Sequence, residues 1–83
     1  PILITYTMIY RLSDCKVGKP YKIVAVNTSE KNTAKLDKLG IFSGEKIAIT
    51  RKIGKSAFLI GAGGAIIAIE REIADKISVT EAL

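Results

Sequence analysis

Apolar and polar residues alternate along much of the chain, the spacing that places successive side chains on opposite faces of a β-strand. The clearest example covers residues 46–53, where Ile47, Ile49 and Ile53 share one phase. Arg51 is the one charged residue in that phase. The pattern predicts a strand that buries its isoleucine face.

Short apolar segments bounded by turn residues predict four more strands, at residues 21–26, 57–60, 65–69 and 76–79. In the first of these, Tyr21, Ile23 and Ala25 share one face. Val24 and Val26 lie on the other, so we expect this strand to be largely buried on both faces. About five short strands with a turn every 8 to 12 residues are typical of a small, mainly β barrel.

One helix is predicted to begin at Ser29, a residue type that caps helix N-termini, and to end at residue 39. Leu36 and Leu39 fall on one of its faces. Gly40 stands where a left-handed residue ends many helices, and Ile41 would then contact Leu36 in a Schellman motif. A short helical turn is predicted at about residues 70–75.

Composition excludes several kinds of site. The chain has 83 residues, no His and one Cys, so imidazole bases, His metal ligands, internal disulfides and thiolate clusters are all excluded. We expect Cys15 to be a reduced thiol. Glu72 and Asp75 are conceivable ligands of a weak divalent site, but a solvated acidic turn is the favoured interpretation. We therefore predict no catalytic residue, cofactor site or metal site.

The net charge of +5 suits a nucleic-acid binder, a membrane-surface protein or a module that docks on an acidic partner. The cations are spread along the chain with no block of like charge, a distribution typical of a solubilising surface. Tyr21 and Phe58 are the candidate base-stacking aromatics, and both more often serve a core. Nucleic-acid binding therefore stays a minor alternative.

Residues 1–10 are apolar and β-prone, and we interpret them as an N-terminal arm before a domain at residues 11–83. Residues 2–9 could add a strand to the open edge of a second copy, which would make a homo-oligomer. We recognise no secretory signal and no apolar stretch of the roughly 20 residues that span a bilayer, so we expect a cytoplasmic protein without membrane insertion.

The order and spacing of several motifs resemble those of the ferrous-iron transport protein A (FeoA) family over about residues 11–80. The most specific part is the leucine-bearing helix that runs into Leu39-Gly40-Ile41, with Gly44 following. The other matching features are Leu12-Ser13-Asp14, Gly18, Ile23, Ile47, Ile49, the glycine turn before Ala68-Ile69, Ala74 and Ile77-Ser78-Val79.

The resemblance implies an SH3-like barrel with one inserted helix, acting as a cytoplasmic accessory protein of ferrous-iron uptake. Its implied partner is the GTP-hydrolysing cytoplasmic part of an iron permease, which would place it at the periphery of the inner membrane. Because the chain lacks His, we expect it to contact the transporter and not the iron. The alternative is a nucleic-acid-binding or metal-dependent regulatory module, since similar domains occur in metal-dependent repressors.

The helix and its following turn are the best candidates for the partner contact, because tight surface turns leave backbone available. The predicted contact residues are Lys35, Leu36, Lys38, Leu39, Gly40, Ile41, Phe42 and Gly44. At least one of the two leucines is expected to serve the core instead. The two lysines would steer docking toward an acidic surface.

Overall fold

A computed structural model describes residues 8–82 and shows a mainly β chain with one full helix. A 3-10 helix at Leu12–Asp14 follows the first strand. The remaining elements are β1 (Tyr10–Arg11), β2 (Pro20–Val26), α1 (Glu30–Lys38), β3 (Lys46–Ile53), β4 (Ala57–Ala62), β5 (Ala65–Glu70), α2 (Arg71–Ala74) and β6 (Ile77–Glu81).

The six strands form one antiparallel sheet in the order β1-β6-β2-β3-β4-β5. This confirms the mainly β fold, with one strand more than the predicted five because Tyr10 and Arg11 pair with β6. One continuous core lies inside the curved sheet. Its largest fully buried side chains are Phe58, Leu12, Ile23, Ile41, Ile49, Ile60, Ile77 and Val79.

Helix α1 begins and ends as its local sequence predicts. The Ser29 hydroxyl accepts a hydrogen bond from the backbone N–H three residues later, at 3.2 Å. Gly40 adopts a φ of +90°, and its N–H donates to the Asp37 carbonyl at 3.1 Å. The Ile41 N–H donates to the Leu36 carbonyl at 2.8 Å, which completes a Schellman motif with both apolar side chains buried.

Strand β3 contains a bulge that the alternating pattern concealed. Ile49 pairs with Ile60 of β4, and the next pair is Arg51 with Leu59, so Thr50 is an extra residue in the strand. A bulge of this kind bends the strand and reverses the faces of every residue that follows it. The Thr50 hydroxyl donates to the Leu59 carbonyl at 3.2 Å, which holds the extra residue in place.

The prediction that Ile53 shares the buried face of Ile47 and Ile49 is therefore wrong. Beyond the bulge, Lys52 pairs with the buried Phe58, and Ile53 pairs with Ala57 on the outer face. As a result, 44% of Ile53 is exposed.

A second bulge corrects the prediction that β2 is buried on both faces. Ile23 pairs with Val79, and Ala25 pairs with the preceding residue of β6, so Val24 is extra. Val24 is 41% exposed, and Val26 replaces Ala25 on the inner face, where it packs against the core. The apolar sequence of β2 thus reflects a phase change and not two buried faces.

The predicted arm at residues 1–10 lies mostly outside the described residues. Tyr10 belongs to the sheet, and its ring meets the Tyr21 ring edge-on at a centroid distance of 6.5 Å. The Met8 carbonyl accepts a hydrogen bond from the Thr80 hydroxyl at 2.9 Å, although the Met8 side chain is exposed. The self-association of residues 2–9 and the domain boundary at residue 11 stay predictions.

Substituting Gly40→Ala should destabilise the fold by about 1 kcal/mol, because a Cβ disfavours the left-handed conformation that ends α1. The control is Gly61→Ala, which loses the same unfolded-state entropy. The φ of Gly61 lies outside the left-handed region, and a Cβ there would lie 3.4 Å from Thr50 Cγ2, close to an ordinary contact. Urea unfolding of both variants provides the measurement. Equal losses would show that the helix stop does not need the glycine.

Candidate protein-docking site

The eight predicted contact residues separate into a buried pair and an exposed set. Leu36 and Ile41 are in the core, so they support the surface and do not form it. Leu39 is 50% exposed and Phe42 is 38% exposed, although both are large apolar side chains. Lys35, Lys38 and Gly44 are also exposed, and Gly40 is half-buried.

Three hydrogen bonds join the turn after α1 to the bulged part of β2. The Gly44 N–H donates to the Ile23 carbonyl at 2.8 Å, and the Ile23 N–H donates to the Glu45 carbonyl at 2.9 Å. The Ser43 hydroxyl donates to the carbonyl of Val24, the extra residue of the bulge, at 2.9 Å. These bonds hold the turn in one conformation, so Leu39 and Phe42 project from a fixed backbone.

Leu39 borders a groove of about 350 Å³ between α1 and β5. In the described part of the chain β5 pairs with β4 alone, so its other edge has no strand partner, and consecutive residues of β5 line this groove. The groove is mainly apolar, with a lysine and a glutamate among its walls. Its lining residues are Asn32, Lys35, Leu36, Leu39, Ile67, Ala68, Ile69, Glu70 and Ile73.

Phe42 borders a second, smaller groove of about 200 Å³ on the opposite side of α1. Val26, Ile41 and Asp37 contribute to its walls. The end of α1 is thus a ridge with an apolar side chain at the mouth of a groove on each side. Sequence reasoning found the ridge but missed the groove wall supplied by β5, because strand pairing and not chain order brings β5 to α1.

The lysines of the ridge are free to act on a partner. The described residues form two ion pairs, Arg11 with Asp14 at 3.0 Å and Lys19 with Glu81 at 2.6 Å. The hydrogen bond to Glu81 raises the pKa of Lys19. Lys35 and Lys38 belong to neither pair.

The carboxylates considered for metal binding are committed elsewhere or isolated. Asp75 accepts a hydrogen bond from the Ser13 hydroxyl, which ties α2 to the 3-10 helix. Among residues 8–82, no group of three or more His, Cys, Asp or Glu side chains is placed to hold a metal ion. This geometry lends no support to the Glu72 and Asp75 site.

The candidate stacking aromatics lie inside the molecule. Tyr21 is 4% exposed, and its hydroxyl accepts a hydrogen bond from the Lys16 N–H at 3.1 Å. Phe58 is 1% exposed. Neither ring offers a face to a base.

Cations that are distant in sequence meet at the end of the β3–β4 hairpin. Arg51, Lys52 and Lys55 lie on the hairpin, and Arg71 joins them because its Nε donates to the Lys55 carbonyl. We call these four residues the basic tip. Three of the four lie within residues 51–55 and are neighbours in the sequence itself, whereas Arg71 reaches the hairpin only through the pairing of β4 with β5.

The described part of the chain contains no helix long and apolar enough to cross a membrane.

Residues 10–81 match the family model of the FeoA domain. A comparison with curated proteins finds no significant match. Among solved structures, an iron uptake regulatory protein (FeoA) is 23% identical, with a TM-score of 0.82 over 90% of this chain and 100% of that one. The FeoA protein of Chlorobium tepidum is 21% identical, with a TM-score of 0.84 over 89% of this chain and 71% of that one. The structure of this chain and its likeness to these solved folds confirm the predicted small SH3-like barrel.

A manganese-dependent transcriptional repressor also shares the fold. It is 12% identical, with a TM-score of 0.79 over 95% of this chain and 45% of the repressor. At this identity the likeness concerns the fold alone.

Cys15 should resist alkylation in the folded protein. Its side chain is 2% exposed, its Sγ donates to the Arg11 carbonyl at 3.4 Å, and burial raises the pKa of the thiol. Less thiolate is therefore present at a given pH, and reagents reach it only when the structure opens. With iodoacetamide at mildly alkaline pH, we expect a rate at least about tenfold below that of the chain in guanidinium. Equal rates in the two conditions would contradict this burial.

Proposed function

Because the chain belongs to the FeoA domain family, which is associated with ferrous-iron uptake, we propose that it is a non-catalytic accessory protein of that process. It docks on the cytoplasmic GTPase part of a ferrous-iron permease and regulates transport through this contact. Its location is the cytoplasm, at the periphery of the inner membrane where the permease holds it.

The exposure of Leu39 and Phe42 on a fixed turn is the observation that carries the proposal. Helix-ending residues of a small domain stabilise it most when they are buried, as Leu36 and Ile41 are. Single exposed apolar residues are common on protein surfaces, but Leu39 and Phe42 lie three residues apart and each lines a groove, which favours a surface that a partner covers.

The two grooves give that partner a specific shape to fit. An apolar side chain entering the groove between α1 and β5 would meet Leu39, Ile67 and Ile69. The free edge of β5 could pair with an extended segment of the permease domain. Contacts of this kind need a preformed surface, which the bonds from the turn to Ile23 and Val24 provide.

The lysines favour an acidic partner surface. Lys35 and Lys38 are exposed near the C-terminal end of α1, where their charge also favours the helix dipole. Charges at the rim of an interface act mainly on the association rate, because they steer the approach of the partner.

Replacing Leu39→Ser should weaken binding to the permease's isolated cytoplasmic domain by about tenfold or more, since an apolar anchor at the centre of an interface is lost. Isothermal titration calorimetry provides the measurement. The control is Ile66→Ser, because Ile66 is 67% exposed and does not line the groove. The docking site is wrong if both variants bind like the wild type.

Reversing the ridge charge with Lys35→Glu and Lys38→Glu should slow association with the same domain by about tenfold at low salt and change dissociation little. Stopped-flow or surface plasmon resonance measures both rates. The control double variant, Lys22→Glu with Lys46→Glu, has the same net charge and alters two exposed lysines that pair across β2 and β3. If the two double variants lose the same rate, net charge and not the ridge steers docking.

A further inference from the structure

We infer that the basic tip binds the anionic surface of a phospholipid membrane. The inference does not depend on the permease contact, because the tip is built from the β3–β4 hairpin and α2, and the docking ridge from α1 and its turn.

The tip concentrates positive charge at one point of the molecule. All six residues 51–56 are exposed, and three of them are Arg51, Lys52 and Lys55. Arg71 is attached by the bond from its Nε to the Lys55 carbonyl and by its N–H, which donates to the Ser56 carbonyl at 2.9 Å. None of the four cations belongs to an ion pair among residues 8–82.

Two of these cations are held in position by the core. The Lys52 Nζ lies 6.0 Å from the centroid of the Phe58 ring, and the Arg71 Cζ lies 5.5 Å from it. Both distances are within the range of cation–π attraction, so the ring orders the charges without neutralising them. The acids next to Arg71 in the chain are Glu70, which lines the groove toward α1, and the exposed Glu72. The tip therefore keeps an excess of positive charge.

The exposed Ile53 favours a membrane over other polyanions as the ligand of the basic tip. In the chain it lies between Lys52 and Lys55. The Thr50 bulge turns it to the outer face of the sheet, where 44% of its surface is exposed. An aliphatic side chain gains free energy by entering the boundary between headgroups and acyl chains, while the cations around it stay among the headgroups. A single-stranded nucleic acid would instead gain from an exposed aromatic on which its bases stack, and Phe58, the one aromatic of this hairpin, is buried.

The inference is tested by cosedimentation of the full chain with vesicles of phosphatidylcholine alone and of phosphatidylcholine mixed with phosphatidylglycerol. We expect binding only to the mixed vesicles and weakening with added salt. Each cation near an anionic surface contributes roughly fivefold, so Arg51→Gln with Lys55→Gln should weaken partitioning by roughly 25-fold. The cation–π contacts to Phe58 come from Lys52 and Arg71, which this variant retains, so it should keep the fold.

Two further variants separate the tip from general charge. Ile53→Ser should weaken partitioning several-fold with an unchanged salt dependence, because it removes only the apolar contact. The control Lys22→Gln with Lys46→Gln removes the same charge from the β2–β3 surface and should bind nearly like the wild type. The inference is overturned if this control loses as much as the tip variant, or if both vesicle types bind equally. It is also overturned if the wild type ignores vesicles but binds polyglutamate through Arg51 and Lys55, a result that would assign the tip to an acidic protein.

Discussion

Side chains along a β-strand alternate between the two faces of its sheet. In this protein the alternation is interrupted at Val24 and at Thr50, and the sheet encloses its core with both interruptions in place. Each break adds one residue to one strand of an antiparallel pair, which bends the strand and exchanges the faces beyond it. The core depends on the exchange in β2, because Val26 packs against it only in the phase that follows Val24, while the exchange in β3 places Lys52 opposite Phe58 and turns Ile53 outward. A domain of this size buries a smaller share of its surface than a large one does, so each side chain that reaches the core contributes appreciably to its stability.

The two proposed surfaces follow from the same two bulges. The first exposes the carbonyl of Val24 to the Ser43 hydroxyl, beside the bond from Gly44 to Ile23, and so fixes the turn that carries Leu39 and Phe42. The second turns Ile53 outward among cations. A regular strand would have kept Ile53 in the phase of Ile49, leaving the hairpin without its exposed apolar residue.

The apolar residues around the end of α1 are divided between the core and the surface for a related reason. Leu36 and Ile41 are brought together by the Schellman bonds around Gly40 and are directed into the sheet. Leu39 is the last residue before that reversal and extends over the groove beside β5. In the proposed function, these neighbouring apolar residues therefore serve stability and recognition separately, and a partner would bind the ridge without disturbing the core.

Features that depend on near neighbours in the chain could be predicted from the amino-acid sequence. These include the Ser29 cap, the stop at Gly40, the hairpin turns and the mainly β character, since each reflects the conformational preference of a few consecutive residues. Composition also excluded imidazole and disulfide chemistry. Which residue of an apolar strand becomes the bulge depends on cross-strand pairing. That pairing selects Val24 and Thr50, whereas the local conformational preferences of these two residues do not single them out. For the same reason only the tertiary structure joined Arg71 to the β3–β4 hairpin and set β5 beside α1: these contacts connect residues far apart in the chain, and a linear pattern records only local spacing.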